Sequence, residues 1–301
     1  MSATDWLLLI ALSILWGGSF FFGKIAVAEF PPLTVAFGRV AIAAAVLVAL
    51  ARATGVALPA SLAAWQPLVI MGLLNNAIPF GLILWGQTHI PSGLAAILNA
   101  TTPLFTVLIA HVVTVDEKLT RARAVGLAIG FTGVVVMIGP DMLRELGANI
   151  AAQIACLLAA ISYSFAGLYG RRFRGEPPLR IAAGQLVASS VLLAPLALLI
   201  DRPWTLPSAS MTAWAALMGT ALLSTALGYL IYFRVLARAG ATNVLLVTFL
   251  IPVSAILLGT LILGEQLNPR HIAGMIAIAI GLSAIDGRLW RYRVGIGLSP
   301  R

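Results

Sequence analysis

The groups able to do chemistry in this chain are amides, hydroxyls and aromatic rings set inside long apolar stretches. Asn75 and Asn76 stand side by side near the middle of the stretch 65–88. Asn99, Thr102 and Thr106 recur at i, i+3 and i+7 in 92–114, which places them on one face of a helix. Trp16 lies deep in 6–28, Tyr163 sits between two serines in 149–170, and Ser224, Thr225, Tyr229 and Tyr232 follow one another in 210–236. Such groups donate and accept hydrogen bonds without carrying charge, which suits orienting a small ligand between apolar walls. The same groups also glue helices together, and both readings stand at this point.

Two cations come close to these groups. Arg39 lies about six residues, or roughly 9 Å, inside the stretch 33–51 by helix rise. It either binds a substrate carboxylate or anchors to carbonyls at the outer rim. Lys24, a second candidate charge anchor, is near enough to a span end to reach water by snorkelling. Pro103 and Pro252 interrupt backbone hydrogen bonding within two other stretches, so each is a candidate helix kink.

Other chemistry is missing from the pattern. All ten Asp and Glu residues fall at or near the ends of apolar stretches, so no mid-depth carboxylate is available to carry a proton. There is no HExxH pair and no glycine-rich phosphate loop. His89, His111 and His271 are scattered near loop edges, and Cys156 is alone. No metal, no cofactor and no enzymatic activity are expected.

The elements that must position these groups follow from composition. Apolar residues make up 60% of the 301, charged residues 10%, and mean hydropathy is +1.02. A soluble domain carries about 25% charged residues, so this chain cannot clothe a water-facing surface. The expected fold class is all-α integral membrane. Ten spans are read at roughly 6–28, 33–51, 65–88, 92–114, 121–139, 149–170, 179–200, 210–236, 241–263 and 270–287. Pro31-Pro32, Pro59, Pro91, Pro140, Pro177-Pro178 and Asn268-Pro269 punctuate the short breaks between them. The net charge of +9 has no soluble basic domain behind it, so nucleic acid is not an expected partner. Membrane lipid is.

The chain is also a duplication. Pro103 echoes Pro252 at an offset of 149, while Glu117, Leu119, Gly126 and Gly133 echo Glu265, Leu267, Gly274 and Gly281 at 148. One unit is placed at 1–140 and the second at 147–287, with a basic tail over 288–301. Each unit holds five spans, an odd number, so the second enters the membrane upside down. With the N-terminus in the cytoplasm, 14 of the 19 basic residues fall in inner loops and the tail, and only Lys24, Arg144, Arg202 and Arg270 lie outside. Both termini are therefore expected in the cytoplasm. Inverted pairs of this kind accompany alternating access about a midplane site. Glu117 and Glu265 each stand three residues before a helix-start signal, Thr120 or Asn268, and are read as structural. Spans 2, 5, 7 and 10 carry the fewest uncharged polar groups and are expected to form the outer wall.

Leu15-Trp16-Gly17, the run from Ser92-Gly93-Leu94-Ala95-Ala96 to Pro103-Leu104-Phe105, and Asp116-Glu117-Lys118-Leu119 before Gly126 and Gly133 resemble the EamA domain of the drug/metabolite transporter superfamily. The resemblance covers nearly the whole chain twice. The second copy departs from it, with Gln266 after Glu265 and Ser162 in place of the tryptophan. Within the superfamily the chain most resembles YddG-type amino-acid exporters of bacterial inner membranes. That resemblance implies ten transmembrane helices, as two inverted-topology five-helix repeats around a central cavity, and export of a small-molecule substrate by alternating access. A monomer is the expected state, separately from the resemblance. Amino acids, including aromatic ones, suit a path lined by Trp16, Asn75, Asn76, Asn99, Thr102, Tyr163, Ser224 and Tyr229. The alternatives are a carrier of sugars, nucleotide sugars or drugs, and a lipid scramblase.

Overall fold

A computed structural model describes residues 2–114, 119–138, 148–240, 244 and 247–286, and among these every regular element is helical. The helices are α1 (Ala3–Ala26), α2 (Pro32–Ala53), α3 (Leu62–Gln87), α4 (Ser92–Val113) and α5 (Arg121–Ile138) in the first half. The second half holds α6 (Ala148–Tyr169), α7 (Pro178–Leu196), α8 (Met211–Arg238), α9 (Val247–Leu263) and α10 (Pro269–Asp286). The stretches of α1–α4 and α6–α8 are long and apolar enough to cross a bilayer; α9 and α10 are shorter apolar helices. Glu117 and the tail 288–301 lie outside the described residues.

Local chemistry explains the helix starts. Ser2 and Asp5 form a reciprocal capping box at α1, with Asp5 N donating to Ser2 Oγ and Ser2 N to Asp5 Oδ2. Proline occupies the first turn of α2, α7 and α10, where its missing N–H has no partner to lose. Ser210 caps α8 by accepting from Ala213 N at 3.1 Å. Large side chains such as Leu199, Val112, Val135, Leu261 and Ile280 remain exposed. On a soluble protein they would drive aggregation; against lipid tails they cost nothing.

Lipid supplies no hydrophobic drive between helices, so association depends on close fit. The tightest fit joins α5 to α10. A Cβ on Gly126 would lie 2.6 Å from Gly281 O, and one on Gly133 would lie 2.7 Å from Gly274 O. Gly126 echoes Gly274 and Gly133 echoes Gly281, so each contact maps onto the other when the two halves are exchanged. Other pairs follow the same exchange: α1 packs on α9 as α6 packs on α4, α3 on α6 as α8 on α1, and α3 on α7 as α8 on α2.

Two apolar cores result. One gathers residues of α1, α4, α6, α9 and α10 around Leu12, Leu98, Leu104, Ala159 and Ala255. The other gathers α2, α7 and α8 around Val40, Leu47, Leu186 and Leu217. Tyr163 packs against both. The expectation that α2 and α7 form an outer wall is corrected here: they pack on each other and carry buried Arg39, Gln185 and Ser189. Only α5 and α10 keep that peripheral place, bound mainly to one another. A sparse polar stripe misled the reading, because one arginine and one glutamine per span are enough when both point inward.

Candidate functional site

The site grows from two irregular turns. α3 widens to a π-type turn over Leu73–Ala77, and α8 does the same over Gly219–Leu227. Such turns insert a residue into the helical ladder and leave a carbonyl in need of a donor. Neighbouring hydroxyls supply it: Ser162 Oγ donates to Leu74 O at 2.7 Å, and Thr225 Oγ1 donates to Thr220 O at 2.7 Å. Asn75 and Asn76 sit in the first turn, and Ser224 and Thr225 sit in the second at an offset of 149, the same as Pro103 to Pro252.

From the α3 turn a hydrogen-bonded seam runs to α7 and α8. Asn75 Nδ2 donates to Gln185 Oε1 at 3.1 Å and to the Tyr229 hydroxyl at 2.9 Å. That hydroxyl donates in turn to Asn76 Oδ1 at 2.9 Å, and Asn76 Nδ2 donates to Ser189 Oγ at 3.1 Å. The close approach needs Gly72, where a Cβ would lie 2.6 Å from Gln185 O. From the α8 turn a second contact runs to α2, where Arg39 Nε donates to Thr225 Oγ1 at 2.7 Å. The Arg39 guanidinium lies over the Phe80 ring, 3.7 Å from its centroid. Tyr163 and Tyr229 are near enough to feel its charge.

The other candidates divide between these seams and local roles. Trp16 stacks at a tilt on Tyr232, with centroids 5.5 Å apart, and its indole nitrogen faces the backbone at Gly228. Tyr163 is half-buried between the two cores. Ser224 Oγ and Asn99 Oδ1 are buried atoms without a hydrogen-bond partner, although each residue stands in the polar region of its own span. Thr102 Oγ1 bonds back to Asn99 O at 2.7 Å and Thr106 Oγ1 to Thr102 O at 2.9 Å, so this stripe serves its own helix. Pro103 marks a true break, with α4 interrupted between Asn99 and Thr102, whereas Pro252 lies inside the unbroken α9.

Lys24 lies apart from the seams. Its ammonium donates to Gln87 O at 2.6 Å and Ile90 O at 3.1 Å, holding the turn from α3 to α4. Beside it Glu265 accepts from Ser92 N at 2.8 Å, Ser92 Oγ at 2.7 Å and Gly93 N at 3.4 Å, which caps α4. The structural reading of Glu265 thus takes a tertiary form: it caps a helix 173 positions away. Sequence reasoning passed over Gln185, Ser189 and Phe80 as site groups. Gln185 echoes Arg39 at an offset of 146, Phe37-Gly38-Arg39 standing against Ala183-Gly184-Gln185, and Ser189 follows it by one helical turn.

With this geometry described, comparison with known proteins is informative. The family pattern described as EamA-like transporter family matches residues 5–139 and again 150–285. The chain belongs to the EamA-like transporter family. This EamA-like protein is 32% identical to the uncharacterized inner membrane transporter YedA of Escherichia coli (strain K12), over 94% of this chain and 91% of YedA. It is 26% identical to the uncharacterized transporter YoaV of Bacillus subtilis (strain 168), over 91% and 94%. A probable amino-acid metabolite efflux pump of Escherichia coli (strain K12) is 27% identical over 99% and 100%. A solved crystal structure superimposes with a TM-score of 0.65 over 97% of this chain and 100% of its own, at 20% identity, a likeness of fold alone.

Proposed function

We propose that this EamA-like protein exports amino acids, aromatic ones included, or related small metabolites across the bacterial inner membrane by alternating access. The observation that carries the reading is the exchange symmetry. Helix pairs repeat when the two halves are swapped, and matching π-type turns carry polar groups at equivalent places. Two halves related in this way can trade conformations about a site between them. All ten helices then cross the membrane as two inverted units, 1–140 and 147–287, with both termini and the tail 288–301 in the cytoplasm.

The substrate path runs along Trp16, Asn75, Asn76, Asn99, Thr102, Tyr163, Ser224 and Tyr229. Aromatic rings from both cores meet amides and hydroxyls there, a lining suited to an apolar side chain held by a few oriented hydrogen bonds. The name of the efflux pump similar over its full length supports amino-acid cargo. Among the described residues no carboxylate stands in the seams, which supports transport down the substrate gradient without a protein-bound proton, by a monomer that needs no cofactor.

Purified protein in liposomes loaded with single labelled amino acids tests this. Gradient-driven release of large apolar amino acids is expected, without need of a pH gradient. Trp16→Ala should shift preference between large and small cargo by roughly ten-fold, the worth of one lost apolar contact. Release equal to that of empty liposomes for every amino acid would end the amino-acid reading.

A further inference from the structure

We propose that Arg39 is a carboxylate-binding residue, and that its site recognises the acid group of a ligand without recognising an amine. Organic monocarboxylates with an apolar body then bind at least as tightly as amino acids.

Arg39 is 8% exposed, deep inside α2, and its contacts are neutral: the Thr225 hydroxyl through Nε, and the Phe80 ring face. Its remaining N–H groups donate to no atom among the described residues. A planar fork of donors in this state matches a carboxylate in two parallel bonds. A buried cation is costly without a counter-ion, and a ring face offsets only part of that cost.

The five carboxylates whose side chains are described are all engaged elsewhere. Asp5 is held by Arg238 and Ser2, Glu29 by Ser210, Glu176 by Arg180, Asp201 by Thr34, and Glu265 by the start of α4. Each stands near a helix end. None of these described carboxylates is paired with Arg39, so the acid group of a ligand can serve as its counter-ion.

The same arrangement gives the amine no favourable partner. An ammonium entering this space meets the Arg39 charge, with no acid beside it to offset the repulsion. The phenols of Tyr163 and Tyr229 are neutral, and the Tyr229 hydroxyl is already engaged by Asn75 and Asn76. Gln185, the echo of Arg39 in the other half, is paired with Asn75 and brings no negative charge. The site thus holds one recognition element for a charged group, and it is for an anion. A ligand without an amine crosses as a net anion, so an inside-negative membrane potential favours its export. That last consequence rests on the transport reading above; the binding claim does not.

The test compares four ligands that share one apolar body: phenylalanine, 3-phenylpropionate, phenylalaninamide and 2-phenylethylamine. Each is titrated against the purified full chain in detergent, following the melting temperature and the heat of binding. 3-Phenylpropionate should stabilise the protein at least as much as phenylalanine, and the amide and the amine should not stabilise it. Arg39→Gln should melt at a similar temperature without ligand and bind either acid about 10- to 150-fold more weakly, the worth of a charge-assisted hydrogen bond. Where Arg39→Gln does not fold, Arg39→Lys serves, keeping the charge while losing the fork, and should weaken both acids together. Equal stabilisation by phenylalanine and phenylalaninamide overturns the proposal from the wild type alone. So does absence of stabilisation by either acid, or undiminished acid binding in the variant. Acid-selective binding without flux in liposomes would retire the transport reading and leave this one standing.

Discussion

Where α3 meets α7, Asn75 donates to Gln185 and Asn76 to Ser189; where α8 meets α2, at equivalent positions of the repeat, Arg39 donates to Thr225. Both contacts are built on a widened turn, and in both a hydroxyl fills the carbonyl that the turn releases. The backbone solution is shared and the electrostatics are not. One seam is a closed neutral network in which each amide finds partners. The other holds a full positive charge against a hydroxyl and a ring. The two seams thus share helix geometry and differ in charge.

Placing a second charge opposite the first is the hardest test of this contrast. Gln185→Arg puts another guanidinium into the interior with no acid to receive it, at an expected cost of about 3 kcal/mol or more. It should lower the yield of folded protein and its melting temperature in detergent. Combining it with Arg39→Gln moves the charge from one seam to the other and should restore most of the loss. A double variant as unstable as Gln185→Arg alone would show that the seams are not interchangeable frames.

Smaller changes ask whether the seams differ in energy as they differ in charge. Thr225→Ala strands a charged donor and the Thr220 carbonyl, so a loss of about 1.5–3 kcal/mol is expected. Asn76→Ala strands the Tyr229 hydroxyl in a neutral network, where a single hydrogen bond between membrane helices is worth about 0.6 kcal/mol and at most about 1.7. Unfolding titrations of the two variants side by side should rank them in that order, and the reverse order would contradict it.

The smallest effect belongs to the ties beyond the seams. Ser210 donates through its hydroxyl and its backbone N–H to Glu29, both at 2.6 Å, and these bonds hold the Glu29 carboxyl below its ordinary value. A carboxyl so lowered stabilises the fold above its unfolded pKa, and the benefit fades as pH falls through the folded value. Glu29→Gln should therefore melt slightly lower than wild type at neutral pH, with the gap closing on acidification below the ordinary carboxylate range. A gap constant with pH would mean that Glu29 acts by packing alone.

Parts of this arrangement could be read from residue order and parts could not. The widened turns fall where Asn75-Asn76 and Ser224-Thr225 had drawn attention, because adjacent polar side chains in an apolar span need either a partner or an irregular backbone. The i, i+3, i+7 stripe of Asn99, Thr102 and Thr106 obeys helical periodicity just as well, yet its hydroxyls turn back on their own carbonyls. Periodicity says which face a residue occupies, and it is silent on whether the acceptor lies one turn back or on another helix. For the same reason Ser189, a polar residue in an apolar span, did not stand out, and Gln185 was visible only as the echo of Arg39.

Span positions, the solvent and the duplication were determined by sequence alone. A bilayer selects for apolar runs of fixed length, for helical backbone and for basic residues on one side, and each is a local or additive property of the chain. The pairing of side chains across spans was decided only in three dimensions. Arg39 has rim carbonyls and the Thr225 hydroxyl both within its arm's length in principle, and the approach of α8 to α2 selects the hydroxyl. Glu265 has a helix start of its own three residues on, yet it caps α4, because α9 packs along α4 and brings the carboxylate to unpaired backbone N–H groups. A hydrogen bond depends on a few tenths of an ångström between groups more than a hundred residues apart, and only the packed helices fix that distance.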